Sequence, residues 1–567
     1  MKYTICAFRS CLALPHYGKQ ALFAPSIFRT LLVLFVAHLA LASTVAKAAT
    51  SNAQQNNRLE WATCPEALSL GSERVYYADS LYKFYARRNF TPVWVVNNNV
   101  PVQTTAFLDC IADSRNNGLL PDDYHYNTIA YWLQLAAATP LHPDTLLNLD
   151  LLLSDAYLLL AKHYARGKVN PEKANIMWHL MKKSFNPIAY FENTLRKGTN
   201  LCESLELLLP DGSGYKELRN TLKQYETMRE WQTLSDKRGY SLWLQKGEAD
   251  PLVAQVKQRL QITNDYPSNA DTDMIFDKDL ETAIMNFQRR HGLHYDGVIK
   301  LTTLQALNVP LPERVNQIKA NLERWRWMPE NLGKNCIVVN IPGFELEMIQ
   351  NNQTVYRESV IVGRENYPTP SFSDTVTHII FNPFWYIPRS IVNAELKPTV
   401  LFDPEYLINN EVRVIKSGKT VNARAIDWKK ANWDDYTFAQ AASAYNPMGV
   451  VKFMFPNKHD IYIHDTPNHD LFNNARRSFS HGCVRVNDPV KFASFLLQYN
   501  EGWDSTHIKQ VLFSQKETKV NLSKSIPIHL LYWTTYIDEQ TAMLNFREDL
   551  YKWDAQLATE LNKKWYE

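Results

Sequence analysis

Hydrophobic positions fall into two regimes along the chain. From about Arg58 to Tyr240 they recur at helical spacing, as in Leu149-Asp150-Leu151-Leu152-Leu153 continuing through Ala156, Leu158 and Ala161. A second helical unit runs from about Gly247 to Pro310, where Val256, Leu260, Leu280, Ala283, Ile284 and Phe287 supply apolar faces around a loop rich in Asn, Asp and Ser. Within it, Phe287 to Leu293, Asp296 to Ile299 and Thr303 to Asn308 predict helix, Gly stop, turn and final helix. From about Val338 the pattern changes to short β-rich runs: Val338 to Ile341, Glu358 to Val362, Thr377 to Phe381, Val450 to Phe455, Ile461 to His464 and Ile528 to Trp533. Runs of this length separated by turns predict a curved sheet or sandwich-like β domain with a few helices. Between about Arg389 and Gly449 lies a less strand-like insertion containing Trp428, Trp433 and Tyr436, of the kind that often forms an active-site lid.

The whole chain of 567 residues exceeds the size of one hydrophobic core, so several domains and a multidomain α+β class are expected. Charge changes the picture at the N-terminus. The net charge is +3, yet Lys2, Arg9, Lys19, Arg29 and Lys47 lie in a leading segment without one acid, which leaves a body near −2 and argues against a nucleic-acid binder. That segment has the order of an export signal: basic stretch, apolar run from Leu31 to Ala42, then Ala46-Lys47-Ala48 as a small-x-small cleavage site. The run is too short to be a standard bilayer span, and an uncleaved anchor is the alternative. Aromatic clusters such as Phe84-Tyr85 and Phe90 to Trp94 offer either sugar platforms or core packing.

Without the leader's Cys6 and Cys11, the cysteines are Cys64, Cys110, Cys202, Cys336 and Cys483, an odd number that leaves at least one thiol unpaired. A Cys64–Cys110 disulfide is conceivable on these numbers. No pair has C-x-x-C spacing, so no metal site is expected.

The chemistry concentrates at Ser480-His481-Gly482-Cys483-Val484-Arg485-Val486. Asp488 can cap a helix that starts at Pro489 and continues through Phe492 and Leu496, which places Cys483 on a tight turn ahead of a helix. Gly482 clears space beside the thiol. A thiol attacks as its thiolate and needs a base or positive field. His464, at the end of its strand and far enough upstream to return on a hairpin, is the expected base and proton donor. His481 is placed to orient His464 or line an oxyanion pocket, while Arg485 and the Cys483 N–H can face the developing oxyanion. A buried, inert cysteine among packed histidines is the bland alternative.

His464 followed by Ser480-His481-Gly482-Cys483 and Arg485 resembles the signature of the L,D-transpeptidase family, with its YkuD-type catalytic domain. Asn321 to Pro329, Pro368-Thr369-Pro370, Phe381 to Trp385, His464 to Pro467 and Leu530 to Trp533 are similar to the large Gram-negative subgroup, and residues 247–310 resemble its small three-helix peptidoglycan-binding domain. One departure is the stretch Gln440 to Gly449, where the subgroup's Gln-x-Pro-Gly element is missing.

The resemblance implies a signal peptide or anchor at 1–48, a helical scaffold at 58–246, the peptidoglycan-binding module at 247–310 and a catalytic domain at 335–515 with a capping insertion at 389–449. C-terminal strands and a helix at 516–567 would pack on the scaffold or the catalytic domain. It further implies a periplasmic, cofactor-free acyltransferase in which Cys483 takes a tetrapeptide stem, releases D-Ala and passes the acyl group to another stem as a 3→3 cross-link. Tyr462, Ser480, Trp385 and Tyr445 would contact substrate. Peptidoglycan stems and glycan strands, acylating carbapenems and other wall-synthesis proteins are the implied partners. Hydrolysis of the same acyl-enzyme, or wall binding without catalysis, are the rival readings.

Overall fold

Pro143 in the first turn, with the His142 ring accepting from the Asp144 N–H, opens the long helix Pro143–Arg166, and Gly167 at φ +82° closes it. A Cβ at Gly167 would lie 2.5 Å from Trp327 Nε1, so this stop also admits a close approach of the chain. Around this helix pack Val102–Asp113, Tyr126–Ala138, Pro187–Lys197 and Leu201–Glu206. The structure, a computed structural model, describes residues 69–564 apart from 71–72, 98, 181–183, 444 and 539; the expected export leader and Cys64 lie outside the described residues.

Two units make up the chain. In the smaller, a hairpin of Ser69–Leu70 and Glu73–Arg74 is accompanied by the helix Ala78–Arg87. All else described here belongs to the larger. Phe84 and Tyr85 are buried, and Trp94 is buried with its indole N–H donating to Ser154 Oγ at 2.8 Å, so these rings fill the interior instead of offering a sugar platform.

Cys110 pairs with Cys202, not Cys64, with Cα atoms 5.8 Å apart. The partner is set by the contact between the helices Val102–Asp113 and Leu201–Glu206, which sequence spacing does not reveal. Cys336 is buried and free, as is the half-exposed Cys483.

The helices Pro251–Ile262, Lys278–Arg290 and Leu301–Leu307 close a small core of their own around Val256, Leu260, Ile284 and Phe287. After the helix Leu311–Trp327 comes the main sheet, with strands β1 (Cys336–Asn340), β2 (Glu345–Gln350), β3 (Gln353–Gly363), β4 (Phe372–Phe381), β5 (Val451–Met454), β6 (Ile463–His464), β7 (Ser478–Ser480), β8 (Val484–Val486) and β9 (Thr518–Leu531). Their order is β7-β3-β8-β6-β5-β4-β9-β1-β2. The first half of β3 also pairs with β2, so the circuit closes on itself and removes the open edges that an isolated sheet would expose.

Three details differ from the sequence reading. β6 and β8 are parallel, with His464 opposite Arg485, so residues 465–483 form a crossover instead of a hairpin. Cys483 leads first into β8; the helix Pro489–Leu496, capped by Asp488 Oδ1 on the Lys491 N–H at 3.0 Å, comes after. And β9 lies between β4 and β1 in the middle of the sheet, so the C-terminal segment is part of the catalytic fold itself rather than a layer on its surface.

The insertion is more ordered than its sequence suggests. Trp385–Tyr386, Tyr436–Gln440, Val412–Lys416 and Lys419–Val421 form a four-stranded sheet over a core of Val400, Leu407, Val414, Trp428, Trp433 and Phe438. Its ends are tied by buried Asn446, whose Nδ2 donates to Pro383 O at 2.8 Å and Ala441 O at 3.1 Å and whose Oδ1 accepts from the Met448 N–H at 2.8 Å. Gly449, at φ +59°, follows; a Cβ there would meet Asp465 Oδ2 at 2.1 Å.

Candidate active site

Strand alternation builds the site. In β5, β6 and β8 one set of side chains (Val451, Phe453, Ile463, Val484, Val486) is buried in the core. The other set shares the opposite face of the sheet: Lys452 lies opposite His464, His464 opposite Arg485, and Tyr462 and Cys483 precede these by one pleat repeat. The parallel crossover thus brings Cys483, Arg485, Tyr462, His464 and Lys452 onto one face of three neighbouring strands. Lys452 was absent from the expected site residues, because only the β5–β6 register puts it on the face that carries Cys483.

The turn that carries Cys483 is held by its own hydrogen bonds and by Thr369. Gly482 sits at φ +112°, donates to Ser480 Oγ at 3.1 Å and accepts from Thr369 Oγ1 at 2.7 Å through its carbonyl. Ser480 Oγ in turn donates to Cys483 O at 2.5 Å. Ser480 is buried, so the hydroxyl expected to meet substrate is instead turned into its own loop. Tyr551, from the C-terminal segment, braces the other side, donating to Gly363 O at 2.8 Å and accepting from the Thr369 N–H at 3.2 Å.

The Cys483 thiol donates to Asp460 O at 3.7 Å. Burial pushes its pKa up from 9.0; the Tyr462 N–H and hydroxyl, the Lys452 ammonium and the Arg485 guanidinium oppose this and favour the thiolate. His464 is buried and its Nδ1 lies 2.5 Å from Asp465 O, an acceptor that fixes the N–H on that nitrogen. Burial, then the charges of Arg485 and Lys452, bring its pKa down to about 3, so the ring is neutral at working pH. No His464–Cys483 hydrogen bond joins the two among the described residues; the Tyr462 ring stands beside His464 at 5.6 Å.

His481 is turned elsewhere. Its Nε2 lies 2.7 Å from an Arg364 nitrogen and 2.6 Å from Glu395 Oε1, and its ring stands 4.7 Å from that of Tyr367. Glu395 belongs to the insertion, in the π-helical segment Val392–Leu396, so His481 links the Cys483 turn to the insertion. Trp385 packs against the insertion's core and Tyr445 is exposed on the segment leading back from it. Arg485 keeps a buried Nε without a hydrogen-bond partner.

Three family models match separate stretches: a scaffold domain at residues 79–222, a "Putative peptidoglycan binding domain" at 249–307 and the L,D-transpeptidase catalytic domain at 334–520, which encloses Lys452, Tyr462, His464, Cys483 and Arg485. Residues 334–520 carry an L,D-transpeptidase catalytic domain. A Haemophilus influenzae protein with the name "Putative L,D-transpeptidase" is 32% identical over 262 residues, 45% of this chain and 52% of the relative, so the chain spans about half the length of the curated relative it matches. Among solved structures it is similar to an L,D-transpeptidase (residues 123–326) from Xylanimonas cellulosilytica, at 12% identity over 51% of this chain and 97% of that one, with a TM-score of 0.17. The Ldtfm-avibactam carbamoyl enzyme matches at 9% identity over 56% of this chain and 99% of that one, with a TM-score of 0.17.

Proposed function

We propose that this chain cross-links peptidoglycan stem peptides 3→3 by ping-pong acyl transfer through Cys483. The observation that carries the reading is a thiol at a glycine-cleared turn, faced by two cations and by donors from Tyr462, within a matched L,D-transpeptidase catalytic domain. The Cys483 sulfur attacks the carbonyl of the stem's third residue; the S–C bond forms, the C–N bond to the terminal D-Ala breaks, and the departing amine takes a proton. An amine from a second stem then displaces the sulfur, forming the new amide and returning the thiol. Neutral His464, with Nδ1 held by Asp465 O, has Nε2 as the nitrogen that can accept the thiol proton. Its distance from the thiol in the free enzyme does not exclude the role, since catalytic hydrogen bonds commonly tighten only on substrate binding. Arg485 and the Cys483 N–H face the oxyanion, Ser480 and Gly482 shape the turn, and Trp385 and Tyr445 guide the stem beneath the cap.

A cap of this size favours transfer over hydrolysis because it keeps water from the thioester. The module at 249–307 positions the polymer, and an enzyme acting on peptidoglycan works outside the cytoplasm. No helix among the described residues is long and apolar enough to cross a membrane. Carbapenems would acylate the same sulfur.

Incubation with a disaccharide-tetrapeptide, followed by intact-mass and product analysis, tests the reading. Loss of D-Ala with a tripeptidyl adduct on Cys483 and cross-linked dimers is the expected result. Tripeptide alone would make the protein an L,D-carboxypeptidase, and an unmodified protein that still binds sacculi would make it a wall-binding scaffold. Cys483→Ala and Cys483→Ser form no adduct if the sulfur is the nucleophile, because a serine hydroxyl lacks the thiol's accessible anion.

A further inference from the structure

Lys452 stands on a central strand of the catalytic sheet with no carboxylate in ion-pair contact among the described residues, although its side chain is half-buried. A lysine so placed ordinarily finds an acid or reaches solvent. This one instead lays its Nζ 3.6 Å from the centroid of the Tyr462 ring, close to the optimum for a cation on an aromatic face. Register sets Tyr462 beside Cys483, each one residue ahead of the paired Ile463 and Val484, with the Val484 N–H donating to Tyr462 O at 3.1 Å, and the Tyr462 N–H and hydroxyl favour the Cys483 thiolate. Register leaves little freedom here: Lys452 is bonded across to His464 on one side and to Ile380 on the other, so its side chain cannot leave the cleft face without breaking the sheet.

We propose that Lys452, seated on the Tyr462 ring, is a positioning residue that holds the Tyr462 hydroxyl on Cys483 and steadies the thiolate and the oxyanion that follows it. The inference rests on Cys483 being the transpeptidase nucleophile.

The physical argument has two parts. A cation on the ring face draws electron density from the phenol and makes its O–H a better donor to a sulfur anion. The same charge also acts on the sulfur directly: Lys452 favours the thiolate, and the thiolate in turn favours the ammonium against the burial that lowers the lysine's pKa. Other groups facing this region are Asp460 from the preceding loop, His464 from β6, Arg485 from β8 and Glu517 just before β9. Of these, Arg485 shares the sign of Lys452, but it has no aromatic relay to the sulfur. The outer side of the turn carries His481, Arg364 and Glu395, which are engaged with one another.

The test is iodoacetamide alkylation of Cys483 in the whole protein from pH 6 to 10, followed by peptide mass spectrometry of the Cys483 fragment. Iodoacetamide is small and neutral, so it reads the thiolate without the peptide-binding cleft; the sulfur forms an S–C bond and iodide leaves. Lys452→Met should move the midpoint of the profile up by about one pH unit and slow alkylation at pH 7 by about three- to tenfold, the lower figure allowing for the greater nucleophilicity of a less acidic thiol. Lys452→Arg should restore most of the loss. Tyr462→Phe, which removes only the hydroxyl, should shift the midpoint in the same direction, and adding Lys452→Met to it should cost less than the two changes apart.

A Lys452→Met profile that superimposes on the wild type, with circular dichroism unchanged, overturns the inference. If that variant does not fold, equal profiles for Tyr462→Phe and the wild type overturn it instead. Acyl-enzyme formation from the tetrapeptide is scored separately. Wild-type protein that gives no acyl-enzyme but shows the Lys452 shift defeats the transpeptidase reading alone, and the reverse pattern defeats the Lys452 inference alone.

Discussion

Cys483 and His464 start from unfavourable ionisation states for a conventional ion pair: burial raises the thiol and brings the imidazole to about 3. At neutral pH the protein therefore holds a neutral thiol and a neutral ring, and on the proposed mechanism the proton moves only as substrate closes the gap. Two consequences follow for carbapenem acylation measured by stopped flow from pH 6 to 10. The wild-type rate should climb with pH through neutrality, because the thiolate fraction rises toward a pKa above 9.0. No loss from protonating His464 should appear above pH 6, since that ring gains its proton only near pH 3. His464→Ala should slow the reaction most at pH 7, by about 10²- to 10⁴-fold, and recover partly at high pH, where the thiol ionises unaided. His481→Ala should leave the slope of the pH profile unchanged, because His481 faces Glu395 and Arg364 rather than the sulfur. A His481→Ala profile with the stronger recovery would reverse the two assignments.

At the scale of elements, the insertion behaves as a small subdomain with its own sheet and core, pinned at its base by one asparagine. Replacing Asn446 by Ala leaves the Pro383 and Ala441 carbonyls without that donor and should cost about 1–3 kcal/mol of stability, read from a denaturant midpoint. It should also loosen the cap and raise the ratio of tripeptide to cross-linked dimer, which is the measurement that separates a hinge role from a purely structural one. In the helical region, the Cys110–Cys202 bridge joins two helices across a sequence separation of 92. Cys202→Ser should lower stability by about 2–4 kcal/mol while leaving carbapenem acylation unchanged once the protein is folded. A parallel loss of acylation would mean that the scaffold shapes the cleft.

For the whole molecule, the three-helix module is not a loosely tethered bead. Arg547 donates to Arg290 O at 2.8 Å, the Trp231 indole donates to Val309 O at 3.0 Å, and His291 stacks on Phe546 at 5.6 Å. Deleting residues 247–310 exposes these partners and will cost some stability. Sacculus binding, measured by co-sedimentation, should nevertheless fall more than the rate of carbapenem acylation, because Lys452, Tyr462, His464, Cys483 and Arg485 all lie on β5, β6 and β8 or on the residues leading into them, outside the module. Equal losses would show that the module serves the catalytic fold more than the polymer.

What the sequence by itself determined is local. The glycine beside the thiol, the Asp488-Pro489 helix start and the alternation of Val451 and Phe453 with Lys452 and Met454 are settled by neighbours a few positions apart, through backbone conformation, capping and the two-residue strand repeat. The family signature is likewise one contiguous stretch plus one upstream histidine. Tertiary structure decided the rest: the parallel crossover, the Cys110–Cys202 partnership, β9 at the centre of the sheet, the turn of His481 toward Glu395 and the arrival of Lys452 beside Tyr462. Each of these depends on which strands or helices become neighbours and in what register. That choice is made by the packing of the whole core, since many strand orders satisfy the same alternating pattern and only one closes this sheet into its ring.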